Sequence, residues 1–274
     1  MWDYSVNASD LDSRGVSTNS CLFCATPLTR LPEEPNAPLL RLDHYGEEIQ
    51  NRRDWVCAAC GWWKVECDGL FLSHRIDVYS SRSAYVAAGA LKDFDVTDII
   101  VPLQEVRDFL TAKYERRFTM HPALFEQTVG SVFGDLGYSV VVTGRSGDGG
   151  IDVILQMGSR TIGVQVKRYS TAIEAEQIRS LAGALLLAGI TTGVFVTTSH
   201  FQRGAVSTAQ GYVKRGYAIE LVDADRFYDA LRLAQLTRFP TRTELHRRHQ
   251  GHLKRVGYSE WDTPREQTGE DPIG

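Results

Sequence analysis

One stretch of the chain places an acid, an amide and an amine where their side chains can converge. Asp152 directly follows the glycine-rich segment 144–150, and Gln165 and Lys167 lie two residues apart in the next apolar run. Because alternate residues of a strand point to one face, Gln165 and Lys167 share a face. A hairpin can span the twelve residues between Asp152 and Gln165 and bring the three side chains together.

These residue types suit the hydrolysis of a phosphodiester bond. Carboxylate oxygens bind hard divalent cations such as Mg²⁺, which polarise a phosphate and lower the pKa of a bound water. The amide oxygen of Gln165 is a weaker ligand that leaves the site less anionic, and the ammonium of Lys167 offsets developing negative charge. Glu126, inside a helical pattern, can join the site if its helix packs against the end of the sheet.

The residues around this constellation resemble those of a known family. The segments FEQ, GDGGID and QVKRY resemble the catalytic domain of the Mrr-type restriction endonucleases, a branch of the PD-(D/E)xK nuclease superfamily. The likeness extends over about residues 121–234 and includes EAEQIRSLAGAL, VFVTTSHF and IELVDADRFYDAL. In that branch a glutamine replaces the second acid of the superfamily motif, as Gln165 does here.

The resemblance implies a role for each residue of the constellation. Asp152 is expected to bind the metal, Gln165 to line the site as a ligand, Glu126 to support the metal from its helix, and Lys167 to be the catalytic lysine. It further implies Mg²⁺-dependent cleavage of double-stranded DNA, in restriction or in defence against phage. Two alternatives stay open: a DNA-binding or assembly subunit that does not cut, and a structure-selective repair nuclease.

Residues beside the constellation allow two interpretations each. Asp148 is either a second acid at the metal or, as we favour, a turn residue between glycines. Arg168 and Tyr169 either contact phosphate or simply end the strand. The hydroxyl-rich run 197–199 either binds phosphate at the end of a strand or has no ligand.

Four cysteines form a second candidate site. Cys21 and Cys24 make one Cys-x-x-Cys pair, Cys57 and Cys60 make another, and 32 residues separate the pairs. Two such pairs supply four thiolates for a tetrahedral Zn²⁺ ion, as in zinc ribbons, and Gly61 suits the tight turn that follows the second pair. We predict a closed, structural zinc site without catalytic function.

Other residues of this segment can serve the same module. Cys67 and His44 are alternative zinc ligands, although a buried cysteine and a surface histidine are the simpler interpretation. Trp55, Trp62 and Trp63 can stack on bases, or form the small core of a metal-stapled ribbon, which we favour. A protein partner that binds this module is a further possibility.

The elements that must position both sites follow from the apolar periodicity and from turn residues. We predict an α/β fold, a restriction-endonuclease-like mixed sheet flanked by helices, with a small N-terminal zinc-ribbon β module. SAYVAAGAL is predicted as a short helix. The predicted divisions are a loose N-terminus 1–20, a zinc-ribbon-like module 21–100, a linker helix 101–119, a nuclease domain 120–236 and a tail 237–274.

Composition limits the class of protein. Hydrophobic residues make up 43% and charged residues 23% of the chain, as in globular proteins, and we expect no membrane segment or export signal and a cytoplasmic location. The net charge is −4, but segment 241–256 has five basic residues against one acidic residue. That segment is either a DNA contact or a solvated tail. Cutting both strands favours a homo-oligomer, although no residue indicates one.

Overall fold

The chain folds into two compact units. The computed structural model describes residues 2–4, 19–33, 41–42, 47–73, 79–91, 94–143, 149–236, 241–243, 245 and 254–261. One unit is Asp93–Arg238, and the other combines Trp2–Lys92 with Phe239–Gly274. Asp148 and His44 lie outside the described residues.

The elements follow one another in three groups along the chain. The first group is β1 (Trp2–Tyr4), β2 (Leu28–Arg30), β3 (Arg41–Leu42), β4 (Glu47–Cys57), β5 (Trp63–Ser73) and β6 (Tyr79–Leu91). The second group is α1 (Leu103–Ala112), a 3-10 helix (Tyr114–Phe118), α2 (Pro122–Asp135), β7 (Ser139–Val142), β8 (Val153–Met157), β9 (Arg160–Lys167), α3 (Ala175–Ala188), β10 (Thr192–Thr197), α4 (Arg203–Val213), β11 (Ala218–Val222) and α5 (Ala224–Gln235). The last element is β12 (Lys254–Trp261).

The sheet of the unit Asp93–Arg238 is mixed, as predicted. Its strand order is β11-β10-β9-β8-β7. The strands β7, β8 and β9 are antiparallel neighbours, whereas β9, β10 and β11 run parallel. The parallel strands therefore all end at the same edge of the sheet, which is the edge where β9 ends at Lys167.

Helices cover both faces of this sheet. A Cβ on Gly130 of α2 would lie 3.9 Å from Val153, which places α2 on the face of Val153 and its cross-strand partner Val164. A Cβ on Gly163 would lie 2.7 Å from Leu185 of α3. Because Gly163 and Val164 are adjacent in a strand, α2 and α3 lie on opposite faces. The core between α3 and the sheet includes the fully buried Leu181, Leu185 and Phe195.

The helix predicted as a linker is part of this unit instead. The buried guanidinium of Arg107 in α1 donates to Ser131, at 3.0 Å, and to Asp135 of α2, at 2.7 Å. Gln104 donates to Gln235 of α5 at 2.8 Å. The physical reason is that α1 has an apolar face, including Val106 and Leu110, which becomes buried when the helix packs.

The other unit is built on an antiparallel sheet with the path β1-β6-β5-β4-β2, to which β12 and β3 are joined at β6 and β4. The prediction of a helix at SAYVAAGAL was wrong, because these residues lie in β6. Strand β6 pairs with β5 in continuous register from Lys64 to Ser73. Helix propensity is a weak preference that such pairing overrides, even for alanine.

Both ends of the chain contribute to this sheet. Trp2–Tyr4, expected to be loose, pair with the end of β6. Residues 254–261, expected to be a tail, form β12 and pair with the rest of β6. The side chains of Arg242 and Arg52 both bind the buried carboxylate of Asp54. A buried carboxylate requires such partners, and one of them comes from the segment that follows the unit Asp93–Arg238.

No helix in the described residues is long and apolar enough to cross a membrane.

Candidate active site and cysteine cluster

Asp152 lies where the pairing between β8 and β9 ends. Its backbone N–H donates to the carbonyl of Val164 at 2.8 Å, and its Oδ2 accepts the N–H of Val166 at 2.7 Å. The carboxylate therefore takes the place of a backbone acceptor at the end of the ladder. Since Val166 separates Gln165 from Lys167, the half-buried Asp152 carboxylate lies level with both.

Gln165 presents a buried acceptor that has no partner. The residue is 4% exposed, and its Oε1 makes no hydrogen bond. Its Nε2 lies beside Gly150, and a Cβ added to Gly150 would be 3.2 Å from this nitrogen. The φ of +101° at Gly150 also favours glycine at this position. An unpaired buried carbonyl is costly in an apolar setting and suggests a ligand.

Lys167 is fixed through its backbone by the neighbouring strand. It is the last residue of β9 and stands in register with Thr197 of β10. Its carbonyl accepts the N–H of Thr198 at 3.2 Å, and the hydroxyl of Thr198 donates to the carbonyl of Tyr169 at 2.8 Å. Lys167 makes no ion pair with another described residue, which leaves its charge available at the end of the sheet.

Helix α2 runs along the edge strand β7 towards the end of the sheet that holds Asp152. A Cβ on Gly134 would lie 3.8 Å from Val140, and one on Gly130 would lie 3.1 Å from both Val140 and Val142. One turn of helix towards the N-terminus, about 5.4 Å, therefore brings α2 into contact with the last residue of β7. The N-terminal turn of α2 therefore extends beyond the end of β7.

Glu126 lies one turn before Gly130, at the start of the second turn of α2, and is half-buried. Beyond Val142, the next residue of the chain, Thr143, is next to Asp152: its N–H donates to the carbonyl of Asp152 at 3.0 Å. Glu126 comes from the face of the sheet opposite to Gln165. The helix carries this acid to the end of the sheet, from which it can approach the same point in space.

This donor set fits a hard divalent cation. It offers two carboxylates, from Asp152 and Glu126, and the unpaired amide oxygen of Gln165, all of them oxygen ligands of the kind that Mg²⁺ binds. The orphaned Oε1 of Gln165 is the observation that supports a cation most directly, because a carbonyl oxygen is an acceptor only. We treat the assignment of these ligands as a proposal.

The residues with two interpretations take structural partners. The guanidinium of Arg168 donates to the carbonyl of Phe118, and Tyr169 is 41% exposed at the end of the strand. Thr197 and Thr198 are fully buried, and the Oγ1 of Thr197 accepts the N–H of Ser199 at 3.2 Å. Their hydroxyls organise the end of β10 in this structure.

Sequence analysis missed the roles of Gly150 and Thr198. Gly150 leaves room for the amide of Gln165, and Thr198 holds the backbone on both sides of Arg168. The double glycine directly before Asp152 was a signal for the first role, since two successive left-handed residues rarely occur without a close approach. For the second role the hydroxyl-rich run 197–199 was a signal, but the sequence does not show which backbone groups Thr198 binds.

The four predicted zinc ligands come together. Their sulfur atoms all lie within 4.8 Å of one another, and the measured Sγ–Sγ distances include 3.5 Å for Cys21–Cys60 and 3.4 Å for Cys24–Cys57. Zn–S bonds of about 2.3 Å in a tetrahedron place sulfurs about 3.8 Å apart. The cluster therefore has close to the spacing of a four-thiolate Zn²⁺ site.

Each cysteine pair is followed by a tight turn with a left-handed residue. Ala25 has a φ of +56° and Gly61 a φ of +73°. The N–H of Phe23 donates to Cys21 Sγ at 3.4 Å, and that of Cys60 donates to Cys57 Sγ at 3.5 Å. Backbone N–H groups directed at sulfur stabilise thiolates, which are the metal-binding form.

The thiols of the cluster strongly perturb one another. Hydrogen bonds from the other cysteines, first from Cys21, hold the pKa of Cys24 below its usual range. Hydrogen bonding to Cys21 and Cys24 and burial raise the pKa of Cys60. Four sulfurs this close cannot all be thiolates unless a cation offsets their charge.

Cys67 is buried in β5, outside the four-sulfur group. Trp62 and Trp63 are fully buried, and Trp62 Nε1 donates to the carbonyl of Gly89 at 2.7 Å. These two tryptophans therefore belong to the core beside the cysteine cluster, the role that we favoured.

Comparison with known proteins finds a likeness for most of the unit Asp93–Arg238. The family model Mrr_cat, restriction endonuclease, matches residues 117–231. The type IV methyl-directed restriction enzyme EcoKMrr of Escherichia coli (strain K12) is 31% identical over 133 residues, which cover 45% of this chain and 42% of the relative. The chain thus matches less than half the length of this relative.

A solved structure, that of the protein of unknown function AF1548, is 17% identical and has a TM-score of 0.31 over 39% of this chain and 57% of that one. That likeness is too slight to bear on the fold. The family match spans the end of the 3-10 helix and the elements from α2 to most of α5, and so includes Asp152, Gln165 and Lys167. Residues 117–231 are therefore similar to the catalytic domain of the Mrr-type restriction endonucleases.

Proposed function

We propose that the chain is a Mg²⁺-dependent DNA endonuclease that hydrolyses phosphodiester bonds of double-stranded DNA in a restriction or anti-phage role. The match of residues 117–231 to a restriction endonuclease family model supports nuclease chemistry. The similarity to a methyl-directed restriction enzyme supports DNA as the substrate. The observation that carries the proposal is the Asp152 carboxylate, held level with Lys167 and with the unpaired amide oxygen of Gln165.

In this proposal the side chains divide the work. Asp152, Gln165 and Glu126 hold the metal. When bound, Mg²⁺ polarises a phosphate oxygen and lowers the pKa of a water molecule. Lys167 offsets the negative charge that develops on the phosphate, and its ammonium is available for this because it has no ion-pair partner among the described residues. The hydrogen bond from Val166 holds Asp152 in place for its role.

The cysteine cluster has a structural role in the same proposal. Cys21, Cys24, Cys57 and Cys60 bind one Zn²⁺ ion and join the segment before β2 to the turn between β4 and β5. A closed set of four sulfurs leaves no position for a substrate. The unit that contains it is available to bind a protein partner or to select DNA. We also propose a cytoplasmic location, where reduced thiols favour metal binding over disulfides.

Plasmid cleavage tests the proposal. We expect purified protein to nick or linearise supercoiled plasmid with Mg²⁺ and not with EDTA. Asp152→Asn keeps an oxygen that can accept from Val166, so the fold should survive, yet it removes the charge that binds the metal. Asp152→Asn and Lys167→Met should each lower cleavage at least about 100-fold.

The exposed Lys214, at the end of α4, provides a matched control for Lys167. Lys214→Met makes the same change of charge and should leave cleavage at the wild-type rate. Wild-type rates in folded Asp152→Asn or Lys167→Met protein would contradict the proposed mechanism. DNA binding by wild-type protein without any Mg²⁺-dependent cleavage of modified or unmodified plasmid would instead indicate a non-cutting subunit.

A further inference from the structure

Arg117 is an unusually well-fixed cation in the 3-10 helix. Its guanidinium carbon lies 4.1 Å from the ring centroid of Phe118 and 4.5 Å from that of Tyr114. Its Nε donates to the carbonyl of Thr198 at 3.0 Å, and its Nη1 donates to the carbonyl of Tyr114 at 3.0 Å. Two rings and two backbone acceptors thus define both the position and the plane of this guanidinium.

These contacts place Arg117 at the edge of the sheet that carries Lys167. Thr198, whose carbonyl Arg117 binds, donates its own N–H to the carbonyl of Lys167. A second link joins the same elements, because Arg168 donates to the carbonyl of Phe118. The 3-10 helix is therefore attached on both sides to the backbone that positions the catalytic lysine.

One nitrogen of Arg117 remains open. Nη2 has no hydrogen-bond partner among the described residues, and it is not among their buried unpartnered atoms, so it reaches solvent. Arg117 also forms no salt bridge within 4 Å in the described part of the chain. A guanidinium that only held the fold together would gain by pairing its charge, and this one leaves both its charge and a donor to the outside.

We propose that Arg117 binds a backbone phosphate of the DNA substrate beside the scissile bond. This inference rests on the proposed nuclease function. Arginine forms directed hydrogen bonds to phosphate oxygens, and its rotamer entropy has largely been lost in the free protein because the side chain is already fixed. A phosphate bound here lies at the same edge of the sheet as Lys167, so Arg117 positions the DNA backbone relative to the active site.

The salt dependence of DNA binding tests this role. Fluorescence anisotropy of labelled duplex DNA, with Ca²⁺ in place of Mg²⁺, gives Kd over a range of salt concentrations. One phosphate contact contributes about 0.9 to the slope of log Kd against log salt. We expect Arg117→Gln to lower the slope by about 0.9 and to raise Kd roughly tenfold at low salt, which corresponds to about 1.4 kcal/mol.

The control is Arg160, the exposed first residue of β9, at the opposite end of the strand from Lys167. Arg160→Gln makes the same change of charge and should keep the wild-type slope. A merely structural Arg117 would lower the melting temperature on substitution but leave the slope unchanged, and that result would overturn the inference. Failure of wild-type protein to bind duplex DNA at all would instead contradict the proposed function.

A conservative substitution tests the inference if Arg117→Gln does not fold. If Arg117→Gln melts below the assay temperature, Arg117→Lys decides the question, because it keeps one positive charge without the planar fork. Lysine cannot satisfy both carbonyls and a phosphate in the same geometry, so we expect the wild-type salt slope with a Kd raised several-fold. A wild-type Kd for Arg117→Lys would overturn the inference.

Discussion

The unpaired oxygen of Gln165 leads to a prediction in which stability and activity move in opposite directions. In the metal-free protein this buried carbonyl has lost its hydration and makes no hydrogen bond. Leucine has a similar size and no polar atoms. Gln165→Leu should therefore stabilise the metal-free protein and at the same time remove a metal ligand.

The structure sets the size of the effect. Burying an unpaired polar group costs about 1–3 kcal/mol, and the substitution removes this cost at residue 165. For a protein of this size each kcal/mol changes the melting temperature by roughly 2–4 °C. In EDTA we expect Gln165→Leu to melt several degrees above wild type. Added Mg²⁺ should stabilise the wild type more than the variant, because ligands stabilise the state that binds them.

Thermal unfolding followed by circular dichroism, with and without EDTA, measures the stability, and plasmid cleavage measures the activity. Gln156, an exposed residue of β8, supplies the control. Gln156→Leu should change the free energy of unfolding by no more than about 0.5 kcal/mol and leave cleavage intact. If Gln165→Leu melted below wild type in EDTA, or cleaved at the wild-type rate, the reasoning about the orphaned oxygen would be refuted.

Three further predictions concern backbone, zinc and buried charge. Gly150→Ala and Gly149→Ala should each lower the free energy of unfolding by about 1–2 kcal/mol, because both residues have a left-handed backbone. Only Gly150→Ala places a Cβ 3.2 Å from Gln165 Nε2, so only this variant should lower cleavage. Equal cleavage by the two variants would contradict this. Cys57→Ser should lower bound zinc, measured by inductively coupled plasma mass spectrometry, from about one ion per chain to none, and full retention would contradict the cluster. Burial raises the pKa of Asp108 in the folded protein above its value in the unfolded chain. The stability of the wild type therefore falls as the pH rises from the unfolded pKa through the folded pKa. Asp108→Asn should therefore melt higher at pH 7, with a gain that vanishes in acid, and a gain independent of pH would refute the assignment.

Much of the nuclease unit was predictable because its elements have strong local patterns. Helix α2 (Pro122–Asp135) carries such a pattern, since its apolar residues recur at helical spacing and a glycine follows it closely. The order of antiparallel and parallel strands followed from their short and long connections. The pairing of Asp152 with the segment Gln165–Lys167 followed from a hairpin and the alternation of a strand.

The other unit was less predictable because its structure depends on distant parts of the chain. The alanine-rich part of β6 has no local preference for a strand, and it becomes one by pairing with β5, β12 and β1. Asp54 is satisfied by Arg242, 188 residues away. Arg117 was missed for the same reason, since its importance comes from the carbonyl of Thr198 and from two neighbouring rings.

The central claim is that Asp152 and Gln165 hold one divalent cation. The most direct measurement is a crystal structure of the protein with Ca²⁺ and duplex DNA, which locates the ion. We expect an ion within about 2.3–2.6 Å of a carboxylate oxygen of Asp152 and of Gln165 Oε1, with the Lys167 ammonium facing the adjacent phosphate. An ion bound by other residues, with Gln165 Oε1 still unpaired in the DNA complex, would contradict the account.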